Sequence, residues 1–303
     1  MIWHKENNCL VITLPEFFDM SANISYLLRD ENECLHEIEN DSITKAIVVE
    51  GTFYLVKIRV IHSQQMIIQF LNDSIPIEKQ EQKNIVKYIG EWFDLDIDLN
   101  PFYDMAKVDP LLNIPVQQFY GLRVIGIPDL FEALCWGVLG QQINLAFAYS
   151  LKRKLVEKFG NYIEWDGKKY WMFPTFDQIA KLTPKDLADI KMTIKKCEYI
   201  IGIAQMMERG ELSKKQLKPL NFMEAEKKLM DIRGVGPWTA NYVLMRCLKF
   251  QRAFPIDDVG LINSIKKLLN MNRKPTKDEI LKLSTSWENW ESYATFYLWR
   301  VLY

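Results

Sequence analysis

The chain contains no CxxC pair. Its five cysteines, Cys9, Cys34, Cys135, Cys197 and Cys247, are scattered and odd in number. That spacing argues against a structural zinc site or an iron–sulfur cluster, and reduced thiols are the ordinary state in an intracellular setting. Apolar runs of membrane-spanning length are also missing. The longest apolar stretch, residues 131–149, is interrupted by Glu132, Gln141, Gln142 and Asn144. The first residues show no basic-then-apolar leader pattern. These absences lead us to expect a cytoplasmic protein with no membrane partner and no required cofactor. Excess positive charge is lacking as well: the net charge is −1, which taken alone argues against a nucleic-acid partner.

The distribution of charge says otherwise. Residues 1–100 hold 8 basic and 17 acidic side chains, residues 101–200 hold 13 and 11, and residues 201–303 hold 17 and 11. Positive charge therefore gathers in the last third. A hydrophobic content of 49% and a charged content of 25% over 303 residues fit a globular chain of two or three lobes.

Residues 1–95 read as an α+β domain. Runs at 9–14, 43–50, 53–61 and 66–71 are β-branched or aromatic and of strand length, with Gly51-Thr52 and His62-Ser63-Gln64 as turns. Their short links predict an antiparallel sheet. Residues 77–93 are predicted to form a helix with Ile85, Tyr88, Ile89 and Trp92 on one face. From Asn100-Pro101 onward the pattern is helical, so residues 96–303 form a second, mainly α region. Residues 129–159 are either one long helix or two, because Gly137 and Gly140 weaken an unbroken rod. Residues 160–174, with Trp165-Asp166-Gly167-Lys168, form a small hairpin or loop. Short helices are expected at 175–182, 183–191, 195–209 and 213–217. A loop at 249–257 then leads to helices at 259–269, 276–284 and 292–302.

The stretch Ile232-Arg233-Gly234-Val235-Gly236-Pro237-Trp238-Thr239 lies between two runs of helical spacing, about 224–248 overall. Two glycines two apart permit backbone angles that other residues resist. Proline suits the first helical position. The result is helix, tight hairpin, helix, with outward N–H groups suited to an anion.

This stretch resembles the helix-hairpin-helix of DNA base-excision glycosylases. Three more motifs follow that resemblance in order: Leu139-Gly140-Gln141-Gln142, then Phe254-Pro255-Ile256-Asp257-Asp258-Val259-Gly260, then the tryptophan-rich ending Trp287 to Trp299. The last is most similar to the ending of the bacterial DNA-3-methyladenine glycosylase II family. The four motifs span residues 131–299.

The resemblance implies a helix-hairpin-helix glycosylase fold, with an N-terminal antiparallel sheet flanked by helices and carrying no catalytic residue. It implies Asp258 as the catalytic carboxylate beside an oxocarbenium-like transition state. An aspartate at a helix start is also a good N-cap, and Asp257 is a competing neighbour. Trp238, Tyr242 and Trp299 would line an aromatic base pocket, where a cationic alkylated purine gains about 0.5–2 kcal/mol from a ring face. Gly234 and Gly236 would hold a backbone phosphate, with Thr239, Arg233 and Lys249 nearby and a monovalent cation on the hairpin backbone. Gln142 stands where relatives insert a side chain into the duplex, and Gln141 alternatively braces its own helix. Bifunctional relatives carry a lysine where this chain has Trp238, so the resemblance implies a monofunctional, water-using enzyme acting as a monomer on double-stranded DNA with alkylated bases. The alternatives are a non-catalytic helix-hairpin-helix DNA-binding protein and a bifunctional glycosylase/lyase.

Overall fold

The computed structural model describes residues 1–62 and 64–302. Ser63, in the middle of the expected His62-Ser63-Gln64 turn, lies outside the described residues.

The N-terminal part is a six-stranded antiparallel sheet in the order β1-β2-β6-β5-β4-β3. Strands β1 (Ile2–His4) and β2 (Cys9–Thr13) come first, followed by helix α1 (Met20–Leu27). Then come β3 (Glu37–Glu39), β4 (Ser42–Val49), β5 (Thr52–Ile61) and β6 (Gln65–Phe70). The sequence pattern reveals the four longer strands. The two edge strands, of three residues each, are too short to show a period-2 pattern. Turn chemistry sets the register: Asn40-Asp41 and Glu50-Gly51 take positive φ at both positions, as two-residue hairpins require. Helix α2 (Lys79–Phe93) closes the unit. Glu78 and Glu81 form its capping box, and it buries Ile85, Ile89 and Trp92.

The rest is helical. Helices α3 (Asn100–Val108) and α4 (Asn113–Gln118) lead to α5 (Leu130–Leu139) and α6 (Leu145–Phe159). Residues 129–159 are thus two helices, broken at Gly140–Asn144, where Gln142 has φ +58° and Asn144 caps α6. Strands β7 (Tyr162–Trp165) and β8 (Lys168–Trp171) form the small hairpin around Asp166-Gly167. Helix α7 (Phe176–Ile179) is a single turn rather than the expected 175–182. The helix expected at 183–191 does not form. There the Asp186 carboxylate accepts from both the amide and the hydroxyl of Thr183 at 2.8 Å. That pair is the kind that opens a helix, but the backbone amides that follow donate three residues back rather than four, Asp186 to Thr183, Ala188 to Lys185 and Ile190 to Leu187, so only a 3-10 turn forms at Ala188–Ile190.

Then follow α8 (Ile194–Glu208), α9 (Lys214–Leu217), α10 (Phe222–Met230), α11 (Pro237–Arg246), α12 (Val259–Leu268), α13 (Lys277–Leu283) and α14 (Glu291–Trp299). Helix α5 is buried on nearly all sides, as are α11 and α14. A helix that is apolar all round belongs at the centre of a bundle. One hydrophobic cluster runs from Leu10 and Ile58 in the sheet through Leu134 to Trp299, so no apolar seam separates the two regions.

Candidate active site

Helix α10 starts on an Asn221–Glu224 capping box and ends at Asp231. The chain then reverses in a few residues, with the Val235 amide donating to the Ile232 carbonyl at 3.0 Å. Gly234 has φ +91°, and a Cβ there would lie 2.3 Å from the ring of Tyr199. Both facts require glycine. Gly236 differs: it caps α11 with φ −93°, and an added methyl would meet no protein atom within 4 Å. Gln141 ties this hairpin to the end of α5, its amide donating to the Gly234 carbonyl at 2.9 Å and to the Thr239 hydroxyl at 3.1 Å. The brace runs from one helix to another, so it is tertiary rather than internal to a helix.

The first turn of α11 presents Trp238, and the next presents Tyr242. Their rings stack with centroids 5.5 Å apart at 28°, and Tyr242 continues the stack to Trp299 at 6.2 Å and 29°. Asp258 is the N-cap of α12: its Oδ1 accepts from the Leu261 amide at 2.9 Å. The same oxygen accepts from the Trp299 indole at 2.8 Å, and Oδ2 accepts from the Trp238 indole at 2.8 Å. The capping role and the site position are therefore compatible. Three N–H donors fix the carboxylate against the aromatic stack. Gly260 makes this approach possible, because a Cβ there would sit 2.9 Å from Asp258 Oδ1 and 3.1 Å from Trp299. Asp257 borders the cleft that Asp258 lines, but its carboxylate is exposed and engaged by Lys277 at 3.2 Å, with no indole donor on it.

Asp258, Trp238, Tyr242 and Trp299 line one cleft of about 730 Å³, and Gln141 and Gln142 stand on its rim. Two sequence expectations change here, those for Thr239 and Lys249. The Thr239 hydroxyl is buried against Gln141, so it braces the hairpin and its side chain does not face a phosphate. Lys249 is withdrawn from the surface, donating to the Val124 carbonyl at 2.9 Å with Asp94 at 3.6 Å. It is neither a phosphate neighbour nor able to line the cleft. Arg233 is exposed beside the hairpin, paired with Glu198 at 2.8 Å. The cleft also holds residues that received no role from sequence: Trp136, Arg29 and Arg246. Trp136 lies three residues before the Leu139-Gly140-Gln141-Gln142 motif. Arg29 belongs to the N-terminal region, where the resemblance implied no catalytic residue, and no local pattern marks it. Arg246 is buried, and its Nη1 donates to the hydroxyls of Tyr242 and Tyr26, each at 2.8 Å.

A tight glycine hairpin is thus followed by a capped aspartate that two indoles hold in an aromatic cleft. Residues 135–290 match the HhH-GPD superfamily base excision DNA repair protein family, and residues 12–134 match the 8-oxoguanine DNA glycosylase N-terminal domain. The chain belongs to the HhH-GPD superfamily of base excision DNA repair proteins. It is 69% identical to the DNA-3-methyladenine glycosylase of Bacillus subtilis over 303 residues, covering 100% of both chains. Among solved structures, the 3-methyladenine DNA-glycosylase of Archaeoglobus fulgidus superposes with TM-score 0.83 at 24% identity, covering 96% of this chain and 97% of that one. The 8-oxoguanine glycosylase/lyase of Clostridium acetobutylicum in complex with double-stranded DNA gives TM-score 0.72 at 20% identity, covering 96% of each. At these identities the solved structures speak for the fold.

Proposed function

We propose that this chain is a monofunctional DNA glycosylase that hydrolyses the N-glycosidic bond of alkylated purines, 3-methyladenine and 7-methylguanine among them, in double-stranded DNA. The observation that carries this is Asp258, held by two indole donors at the wall of an aromatic cleft. The activity named for the 69% identical relative supports the same substrate class.

Flipping the base out of the duplex costs a few kcal/mol. The hairpin amides around Gly234 and Gly236 hold a backbone phosphate, with Arg233 at hand once it leaves Glu198, and the hairpin backbone at Gly234 and Gly236 would hold a monovalent cation that adds positive charge beside that phosphate. Gln142, exposed on the rim in a left-handed conformation, occupies the gap left in the stack. The base stacks on Trp238, Tyr242 and Trp299, which tolerate varied base shapes. As the bond from C1′ to the ring nitrogen breaks, its electron pair leaves with the base, and positive charge at the sugar faces the Asp258 carboxylate. Water then bonds to C1′ and releases a proton, leaving an intact abasic strand. The enzyme works as a monomer in the cytoplasm.

The match to an 8-oxoguanine glycosylase N-terminal domain favours a second reading, a lyase acting on oxidised bases. Trp238 has no amine with which to form an imine, and Lys249 is buried elsewhere. The test is single-turnover release of 3-methyladenine and 7-methylguanine from methylated duplex. Asp258→Asn should abolish release while leaving duplex binding nearly intact. Wild-type rates in that variant, with Asp257→Asn inactive instead, would overturn the assignment.

A further inference from the structure

Arg29 follows α1, in the part of the chain that carries the sheet, yet it lines the cleft that holds Asp258. Its guanidinium lies over the Tyr26 ring at 4.1 Å, and its Nε donates to the Tyr149 hydroxyl at 2.6 Å. These contacts fix the plane of the group. Among the described residues no carboxylate forms an ion pair with it. Glu33, which lines a smaller cavity together with Arg29, is engaged by Lys152 at 2.9 Å. Its Nη1 and Nη2 make no hydrogen bond among the described residues. Arg246, the other arginine on the cleft wall, is committed, with Nε on the Ile125 carbonyl and Nη1 on two tyrosine hydroxyls.

Arginine stays ionised in proteins and only donates. The cleft wall therefore carries a fixed positive charge with an oriented, unused pair of donors. Such a group repels a cationic base and has nothing to offer an amino group. It gives a charge-assisted hydrogen bond to a carbonyl oxygen. We infer that Arg29 is a specificity-determining residue that reads the extruded base, favouring purines with a 6-oxo group over purines with a 6-amino group. This rests on the glycosylase reading above.

The test is single-turnover release of three bases from duplex DNA: hypoxanthine (neutral, 6-oxo), 7-methylguanine (cationic, 6-oxo) and 3-methyladenine (cationic, 6-amino). Arg29→Met keeps an unbranched apolar side chain beside Tyr26 and removes the donors. It should slow hypoxanthine release by about tenfold or more, the scale of one lost charge-assisted hydrogen bond. It should slow 7-methylguanine release less, because charge repulsion is relieved, and leave 3-methyladenine release unchanged or faster. Tyr149→Phe, which frees the Nε anchor, should shift preference in the same order by a smaller factor and keeps a readout if Arg29→Met folds poorly. An equal fall on all three bases, an unchanged preference in the folded variant, or a loss confined to 3-methyladenine overturns the inference. A wild-type chain inert on all three strikes the glycosylase reading first. An active wild type whose preference does not move strikes Arg29 alone.

Discussion

Asp258 and Trp238 are coupled by one hydrogen bond of 2.8 Å, so their roles are separable only by conservative changes. Trp238→Phe keeps a ring for stacking on Tyr242 and removes the indole donor to Oδ2. We expect base release to fall by about tenfold, the scale of one hydrogen bond to a charged group, with binding to undamaged duplex unchanged in a gel-shift assay. A loss of duplex binding in step with activity would make Trp238 a general packing residue instead. The same position settles the reaction class. With no amine at residue 238, borohydride added during turnover should trap no enzyme–DNA adduct, and hot alkali should cleave the strand that the enzyme left whole. The amine of Lys249 faces Val124 and Asp94, so Lys249→Ala should not alter this result. A trapped band in the wild-type enzyme would return the lyase reading.

The hairpin shows how an element can be legible while its parts are not equivalent. The motif predicts both glycines alike. In the structure Gly234 is needed for the turn and for the approach of Tyr199, whereas Gly236 is needed for neither. Gly234→Ala should therefore lower the melting temperature and weaken binding to damaged and undamaged duplex together. Gly236→Ala meets no clash and loses only some N-cap preference, so it should lower the melting temperature less than Gly234→Ala while still weakening binding, because its methyl occupies the outward side where a phosphate would sit. Calorimetry beside a gel-shift salt titration separates them. Equal melting losses in the two variants would contradict this division.

The whole molecule is fastened by a buried charge network between its two regions. Lys152 on α6 meets Glu33 at 2.9 Å and Glu132 on α5 at 3.7 Å, and the side chains of all three are largely buried. Burial alone would raise the pKa of Glu33, but Lys152 and then His36 outweigh it and hold the carboxyl well below its usual range. Removing one partner of such a pair leaves a buried charge uncompensated and costs about 3–5 kcal/mol. Lys152→Met should lower the melting temperature accordingly, and adding Glu33→Gln should recover part of the loss. A melting temperature unmoved by Lys152→Met would show that the network holds nothing together. His36 gives the pH dependence: burial pushes its pKa down to about 4 against the opposing pull of Glu33. The unfolded chain binds that proton at about 6.5. Between these values the unfolded state holds more protons, so stability falls as pH falls from about 6.5 to about 4. Glu33 adds a loss in the same direction below about 4.3. Melting temperatures taken from pH 7 down to pH 4 should decline, and His36→Gln should flatten the first part of that decline.

Much of this protein is written locally. The turn glycines, the capping pairs such as Asn221–Glu224 and the proline opening α11 each act over a few residues, so local chemistry marks the hairpin and the long strands, while Asp258 is singled out from Asp257 by the family resemblance. It also places Trp238 where a lysine would change the chemistry. The helix expected at 183–191 does open on such a local pair, Thr183 and Asp186, but its backbone closes three residues back instead of four, so a local start signal alone does not carry it into an α-helix. What only the tertiary structure decided involves partners far apart in the chain. The two indoles meet on one carboxylate, Gln141 and Thr239 turn inward to brace the hairpin, Lys249 is drawn into the core, and Arg29 reaches the cleft from the sheet-bearing region. None of these leaves a periodic or spaced signal. Which donors converge on which acceptor depends on how the buried helices α5, α11 and α14 pack, and that packing is a property of the assembled core rather than of any stretch within it.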